Sequence, residues 1–411
     1  MPKVRLDSWK SIADYLERSP RTVQRWHAYH GLPVHHFGGC KGSVFAYAEE
    51  IDRWLMRLAQ ENRLSDVGGD DSLAARCAHS RELVLRAHEM WESRTEESLP
   101  TIAGLYRKAI EQNPANTDAL TGLATAMISA ALHGVMDGAI AFPAATEALR
   151  RTAQLDAGGV DALCAGAWLR LTHERKISNA RAGFEQVLTR QPDSSFALSG
   201  MALSHVADGN LETAKTWIWR AWQKNTLVPM LGALVCWIEY LAGTPDTALN
   251  MAEQMRMSGS CGATLAIIES LALIQADPNS ACLKRIAALA SEYPQSLTLH
   301  CVLAHEYALS GKSARAREIR SAVESMNEQK KRSNAYGMAL MAMGFGNDAE
   351  AIRWLETSFA DGSLWSLALR SDPILNPLRE DVRFQALLRK CGVHSGNSAY
   401  TGQLAFITRA G

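Results

Sequence analysis

Apolar residues recur at helical spacing along almost the whole chain. Trp9, Ile12, Ala13 and Leu16 stand at i, i+3, i+4 and i+7, one stripe of a short helix that Ser8 can cap. After a tight break at Glu17-Arg18, Ser19-Pro20 supplies an N-cap and a proline at the first helical position, where its missing N–H costs nothing. This second helix runs through Arg21, Thr22, Val23, Gln24, Arg25 and Trp26 towards Tyr29, and Gly31 and Pro33 end it. Val23 and Trp26 share the face that packs on the first helix, which leaves Ser19, Arg21, Gln24, Arg25 and Ala28 pointing outwards. The pattern then switches to short strands. Val34-His35-His36-Phe37 and Ser43-Val44-Phe45-Ala46-Tyr47 flank the turn Gly38-Gly39-Cys40-Lys41-Gly42, a hairpin with Lys41 at its tip. From Ala48 to Leu58 the helical stripe returns as Ile51, Trp54, Leu55 and Leu58, with Glu49 and Glu50 at the dipole-positive start.

Farther along, the period itself repeats. Ala180, Ala214, Ala248, Cys282, Ala316 and Ala351 form one series of small residues; Ala202, Cys236, Ser270, Ala304 and Ala339 form a second, both at a 34-residue step with one step of 35. Turn signals keep phase with them: Asp208-Gly209-Asn210, Ala242-Gly243-Thr244, Ala276-Asp277-Pro278, Ser310-Gly311-Lys312 and Phe345-Gly346-Asn347. Asn113-Pro114, Gln191-Pro192 and Tyr293-Pro294 stand where a second helix ends. This array resembles the tetratricopeptide family, in which two short helices per 34 residues stack into a solenoid. Spacing after Ala119–Ala124 is long and places an insertion near His133–Phe142. The segment from Asp372 to Leu388 reads as a cap over the last apolar face. The expected fold is therefore all-α dominated, with an N-terminal winged helix-turn-helix over residues 1–62, a linker at 63–75, the repeat array at 76–360, capping helices at 361–392 and a frayed tail at 393–411.

Charge singles out the N-terminal part. The 43 basic and 43 acidic residues balance, so the chain as a whole does not seek polyanions. Yet no Asp or Glu occurs from Arg18 to Ala48, a stretch that holds Arg18, Arg21, Arg25, Lys41 and four histidines. Forked donors and acceptors on an outward helix face suit base edges and phosphates. The run from Trp9 to Trp26, followed by Gly31-Leu32-Pro33-Val34-His35 and a glycine-rich turn, resembles the MerR/excisionase-type winged helix-turn-helix over about 50 residues, as in bacterial regulators that join it to tetratricopeptide repeats. The resemblance implies double-stranded DNA as partner, held by Arg21, Thr22, Gln24, Arg25 and Lys41; Ser19, His35 and Ser43 stand beside them as further contacts. The long dimerisation helix of MerR proteins has no counterpart here. One recognition helix offers few base contacts, so a tight site calls for a homodimer.

The groove of such an array takes a protein or peptide; Arg170, His205 and Glu239 are candidate groove residues by phase. Trp217, Trp219, Trp222 and Trp237 read as packing between repeats rather than as an aromatic box. No phosphate-binding, dinucleotide, nucleophile-elbow or H-E-x-x-H motif occurs, which argues against an enzyme and a cofactor. His30, His35, His36 and Cys40 form the one metal-like cluster, but strand alternation sends His35 and His36 to opposite faces, so no metal is expected. The cysteines, without a C-x-x-C pair, suit reduced thiols in a cytoplasm, and no apolar run is long enough to span a membrane. These features point to a cytoplasmic DNA-binding transcriptional regulator. The alternative is a scaffold whose N-terminal module docks on protein.

Overall fold

The computed structural model describes residues 5–16, 19–36, 44–54, 71–155, 159–259, 262–329 and 334–391. The chain divides into two compact units, residues 1–78 and 79–411. Lys41 of the expected hairpin tip, Ser43 of the expected second strand, residues 63–70 of the expected linker and the tail from 393 onwards lie outside the described residues.

In the first unit, strand β1 (Arg5–Leu6) leads into helices α1 (Trp9–Tyr15) and α2 (Pro20–His30). Strands β2 (His35–His36) and β3 (Val44–Tyr47) follow, then helix α3, described over 48–54. Ser8 caps α1 by accepting the Ser11 N–H, and Ser19 caps α2 by accepting the Thr22 N–H. Gly31 closes α2 at φ 63°, a conformation that favours glycine. β2 and β3 pair antiparallel with His35 opposite Phe45, and β3 pairs on its other edge with β1, Arg5 opposite Tyr47. The β1 strand was not expected, because two residues are too few for a visible alternation. Ile12, Ala13, Val23, Leu32, Val44, Ala46, Ile51 and Trp54 form the core, with Trp26 packed at its edge against Trp54.

The second unit is a stack of helix pairs: α4 (Asp71–Glu92, in this unit from His79 onwards) with α5 (Leu99–Gln112), α6 (Thr117–Leu132) with α7 (Gly138–Leu155), α8 (Val160–Thr172) with α9 (Ile177–Arg190), and α10 (Ser195–Ala207) with α11 (Leu211–Lys224). It continues through α12 (Pro229–Leu241) with α13 (Pro245–Met257), α14 (Ala263–Ala276) with α15 (Ser280–Glu292), α16 (Leu297–Leu309) with α17 (Ser313–Gln329), and α18 (Ala335–Gly344) with α19 (Asp348–Ala360). Helix α4 already begins at Asp71, inside the stretch expected to be linker. The expected insertion near His133–Phe142 is absorbed by lengthening α6 and α7 rather than by a loop.

Four of the five turn signals share one geometry; the fifth, Ala276-Asp277-Pro278, instead has Asp277 extended at φ -161°. Gly209, Gly243, Gly311 and Gly346 all have φ between 72° and 79°. In each case the next residue's N–H reaches back to a first-helix carbonyl, Asn210 to His205, Thr244 to Glu239, Lys312 to Tyr307 and Asn347 to Ala342. That six-to-one bond satisfies a carbonyl the helix end would otherwise leave open. Close approach has its own device. A Cβ at Gly122 or Gly200 would stand 2.3 Å from the ring of Tyr106 or Phe184, so only glycine lets those aromatic rings of the preceding second helix seat against α6 and α10.

Second helices bury one stripe, as α11 does with Leu211, Ala214, Ile218 and Ala221. Two first helices are buried all round: in α12 every residue from Met230 to Leu241 is buried, and in α18 every residue from Ala335 to Met343. A helix apolar on all sides needs a second cover besides its own repeat, each fully buried Leu, Ile or Met contributing roughly 1.5–3 kcal/mol. Part of that cover is the chain's C-terminal segment, two 3-10 turns (Leu364–Leu367 and Pro373–Leu378) and helix α20 (Val382–Lys390). The expected cap over the last pair is therefore only half of what this segment does. Phe384 and Leu387 of α20 are buried where α20 meets α19, while residues 362–379 run across the first helices.

Candidate functional site

The N-terminal unit exposes part of the expected DNA-reading face. Ser19 and Gln24 are exposed, Thr22 is half-buried, and the backbone of α2 carries Arg21 and Arg25 beside them; the side chains of these two arginines lie outside the described residues. The Ser19 and Thr22 hydroxyls bond each other at 2.8 Å, and the Ser19 oxygen is also occupied by its cap, so both are committed to holding the start of α2. Tyr15 donates to Asp52 at 2.8 Å and ties α1 to α3. His35 departs from expectation. Its Nε2 lies 2.6 Å from a Glu50 carboxylate oxygen, and its ring stacks on Phe45 at 5.1 Å beside Tyr47. The partner is a carboxylate, which repels phosphate, and the ring is part of an aromatic surface.

In the helical array one first-helix acid, Glu239 of α12, faces inwards to partners. Glu239, a candidate groove residue by phase, is buried and accepts from the Trp219 indole at 2.8 Å, the Thr244 hydroxyl at 2.5 Å and Lys215 at 2.9 Å. Burial opposes its charge, but these three donors together hold its carboxyl below the usual carboxylate range. Glu239 thus ties α11 of one pair to α12 of the next, with its carboxyl oxygens occupied by these donors. Trp237 is fully buried, and Trp217, Trp219 and Trp222 pack at the core margin.

The C-terminal segment threads through a set of contacts far apart in sequence. The Arg175 guanidinium donates to the Phe359 carbonyl at 3.1 Å and to the Ser366 hydroxyl at 2.5 Å. Trp365 stacks on Tyr336 with centroids 5.0 Å apart and meets Trp237 edge-on at 5.8 Å. Asp372, fully buried, accepts from the Tyr240 and Tyr336 hydroxyls at 2.6 and 2.7 Å. Burial pushes the Asp372 carboxyl up, against the pull of those hydroxyls.

Beside Trp365 and Tyr336 lies a cavity of about 520 Å³. The α4–α5 corner brings Glu96 and Glu97 to it, the α6–α7 turn His133, the start of α14 Thr264 and Ile267, and the α15–α16 turn Glu292. Glu96 accepts the Thr264 N–H at 3.2 Å, and burial pushes its carboxyl up to about 7. Burial, helped by the nearby Arg94 guanidinium, holds His133 down to about 3, so the ring is neutral. Nothing in the sequence marked Glu96, His133, Trp365 or Asp372 as a group, since Glu96 and His133 come from different helix pairs and Trp365 and Asp372 from the C-terminal segment. Among the described residues no cluster of His, Cys, Asp and Glu could hold a metal ion, and no helix is long and apolar enough to cross a membrane.

No protein-family model and no curated protein matches the chain. Solved structures that it is similar to include a tetratricopeptide repeat protein from Parabacteroides merdae, at 15% identity over 65% of this chain and 99% of that one with a TM-score of 0.42. Cut9–Hcn1 of the APC/C is similar at 14% identity over 84% of this chain and 60% of that one, TM-score 0.49. Yeast Tom70 is similar at 12% identity over 93% and 84%, TM-score 0.41. With these scores below 0.5, the description of the second unit rests on its own geometry: an all-α array of helix pairs on the step that the small residues keep.

Proposed function

We propose that this chain docks on double-stranded DNA through α2 and regulates transcription, with the helical array as its partner-binding part. The observation that carries this is local. A helix capped by Ser19 presents Gln24 outwards within a stretch of chain free of acidic residues, beside an antiparallel hairpin. Arg21, Gln24 and Arg25 supply base contacts, and Lys41 with Ser43 at the hairpin tip supplies phosphate contacts. A homodimer would double those contacts. For the array, the exposed apolar side chains Leu155, Leu227 and Met257 all stand at junctions between one helix pair and the next, where a protein or peptide can meet them.

The test is binding of the full chain to a randomised duplex pool, with sequencing of the retained fraction and a salt series. An enriched motif that Arg21→Ala and Arg25→Ala abolish supports the proposal. Lys41→Ala should weaken all sequences alike and flatten the salt slope. No retention at low salt overturns it.

A second reading, an adaptor whose N-terminal unit meets protein, is favoured by one feature. His35, Phe45 and Tyr47 form a ring cluster closed by Glu50, a surface better suited to an apolar partner than to phosphate.

A further inference from the structure

The cavity beside Trp365 has a consistent chemistry. Among its lining residues are three carboxyl groups, Glu96, Glu97 and Glu292, and no lysine or arginine. Glu97 and Glu292 are exposed at its rim, and Glu292 also meets Arg256 at 3.4 Å; Glu96 sits inside. Leu132, Ile267, Tyr336 and Trp365 supply apolar and aromatic wall, with neutral polar residues such as Gln295, Thr298 and Asn334 between them. His133 Nδ1 is the one buried side-chain polar atom of the lining without a hydrogen-bond partner among the described residues. Burying an unpaired polar atom costs about 1–3 kcal/mol, a cost that an incoming donor removes.

An anion is excluded by the three carboxyls. A purely apolar ligand would leave His133 Nδ1 unpaired and bring no positive charge to the Glu96 carboxyl. A positive head bearing N–H groups satisfies both, and aromatic faces attract such a charge. Volumes of this size, roughly 300–1,000 Å³, hold small molecules rather than a folded partner.

We infer that this cavity binds a small organic cation, an amine whose ammonium group lies against the Glu96 carboxylate and donates a second N–H to His133 Nδ1, with its carbon skeleton along Leu132, Ile267 and the Trp365 ring. The inference is independent of DNA binding by the N-terminal unit. Because the lining comes from the first pairs, from α14 to α16, from α18 and from the C-terminal segment, an occupant ties distant repeats together.

The experiment is calorimetric titration and thermal unfolding of the full chain with benzylamine and spermidine, against benzyl alcohol and benzoate at matched ionic strength. Expected are saturable binding of at least one cation and a raised Tm with it, and neither effect with the alcohol or the anion. Glu96→Gln should weaken cation binding by about tenfold or more, one charge-assisted bond being lost. Should that variant not fold, the doubly substituted Glu97→Gln, Glu292→Gln chain, changed only at the exposed rim, has to lose about threefold. The inference is overturned if no cation binds at about 10 mM, far above any useful affinity. It is equally overturned if benzyl alcohol matches benzylamine, or if the substitutions leave cation affinity unchanged.

Discussion

The Tyr240 hydroxyl donates to the Asp372 carboxylate at 2.6 Å across 132 residues of chain, both groups fully inside the helical array. Tyr336 donates to the other oxygen of the same carboxylate, so two first helices and the C-terminal segment meet at one acid. Arg379 closes the knot by donating to the Asp372 carbonyl at 3.1 Å.

Cutting this knot should loosen the segment before it unfolds the array. Tyr240→Phe leaves a buried carboxylate oxygen short of a donor and should cost about 1–3 kcal/mol, with Asp372→Ala releasing residues 362–379 to protease. Denaturant melts and mapping of early proteolytic cuts check this; cuts first appearing elsewhere in the array would count against it.

Glycines in the array should separate into two kinds. A Cβ at Gly104, within α5, meets nothing within 4 Å, so Gly104→Ala should stabilise by about 0.5–1 kcal/mol through helix propensity. At Gly344 the Cβ would stand 2.6 Å from the His305 Cα, which is backbone and cannot step aside, so Gly344→Ala should destabilise by about 1–3 kcal/mol. Thermal melts of the two variants should move in opposite directions.

Glu96 makes a pH prediction with a definite sign. Its carboxyl titrates near 4.5 when unfolded and, through burial, at about 7 when folded. Between those values the native state holds a proton that the unfolded chain has lost, so stability falls as pH rises through that window. His133 acts oppositely, since burial depresses it from 6.5 to about 3 and stability from its neutral ring falls as pH drops below 6.5. Glu97, the Thr264 N–H and Arg94 are the other groups acting on the pair. Tm against pH, wild type minus Glu96→Gln, isolates the first contribution: the difference should grow more negative from pH 4.5 to 7. A flat difference would show that the Glu96 carboxyl is not buried.

On α2 two neighbours should behave differently. Ser19→Ala removes the cap to the Thr22 N–H and should lower the stability of the first unit by about 1 kcal/mol. Gln24→Ala touches no core residue and should leave Tm alone while weakening a selected DNA site by about 1–3 kcal/mol. If Gln24→Ala leaves DNA affinity unchanged, that position is turned away from the bases.

What could be read from residue order alone is what nearest neighbours decide. The caps at Ser8 and Ser19, the Gly31 stop and the left-handed turns at Gly209, Gly243, Gly311 and Gly346 are local chemistry, and the 34-residue step follows because each helix pair packs chiefly on the next. Tertiary structure alone decided that His35 pairs with Glu50, that Glu239 is locked by Trp219 and Lys215, and that Trp365 and Asp372 lie against Trp237, Tyr240 and Tyr336. These contacts depend on how small rotations accumulate over many repeats. No single repeat carries that sum, so which distant residues share the interior becomes visible only once the whole array is coiled.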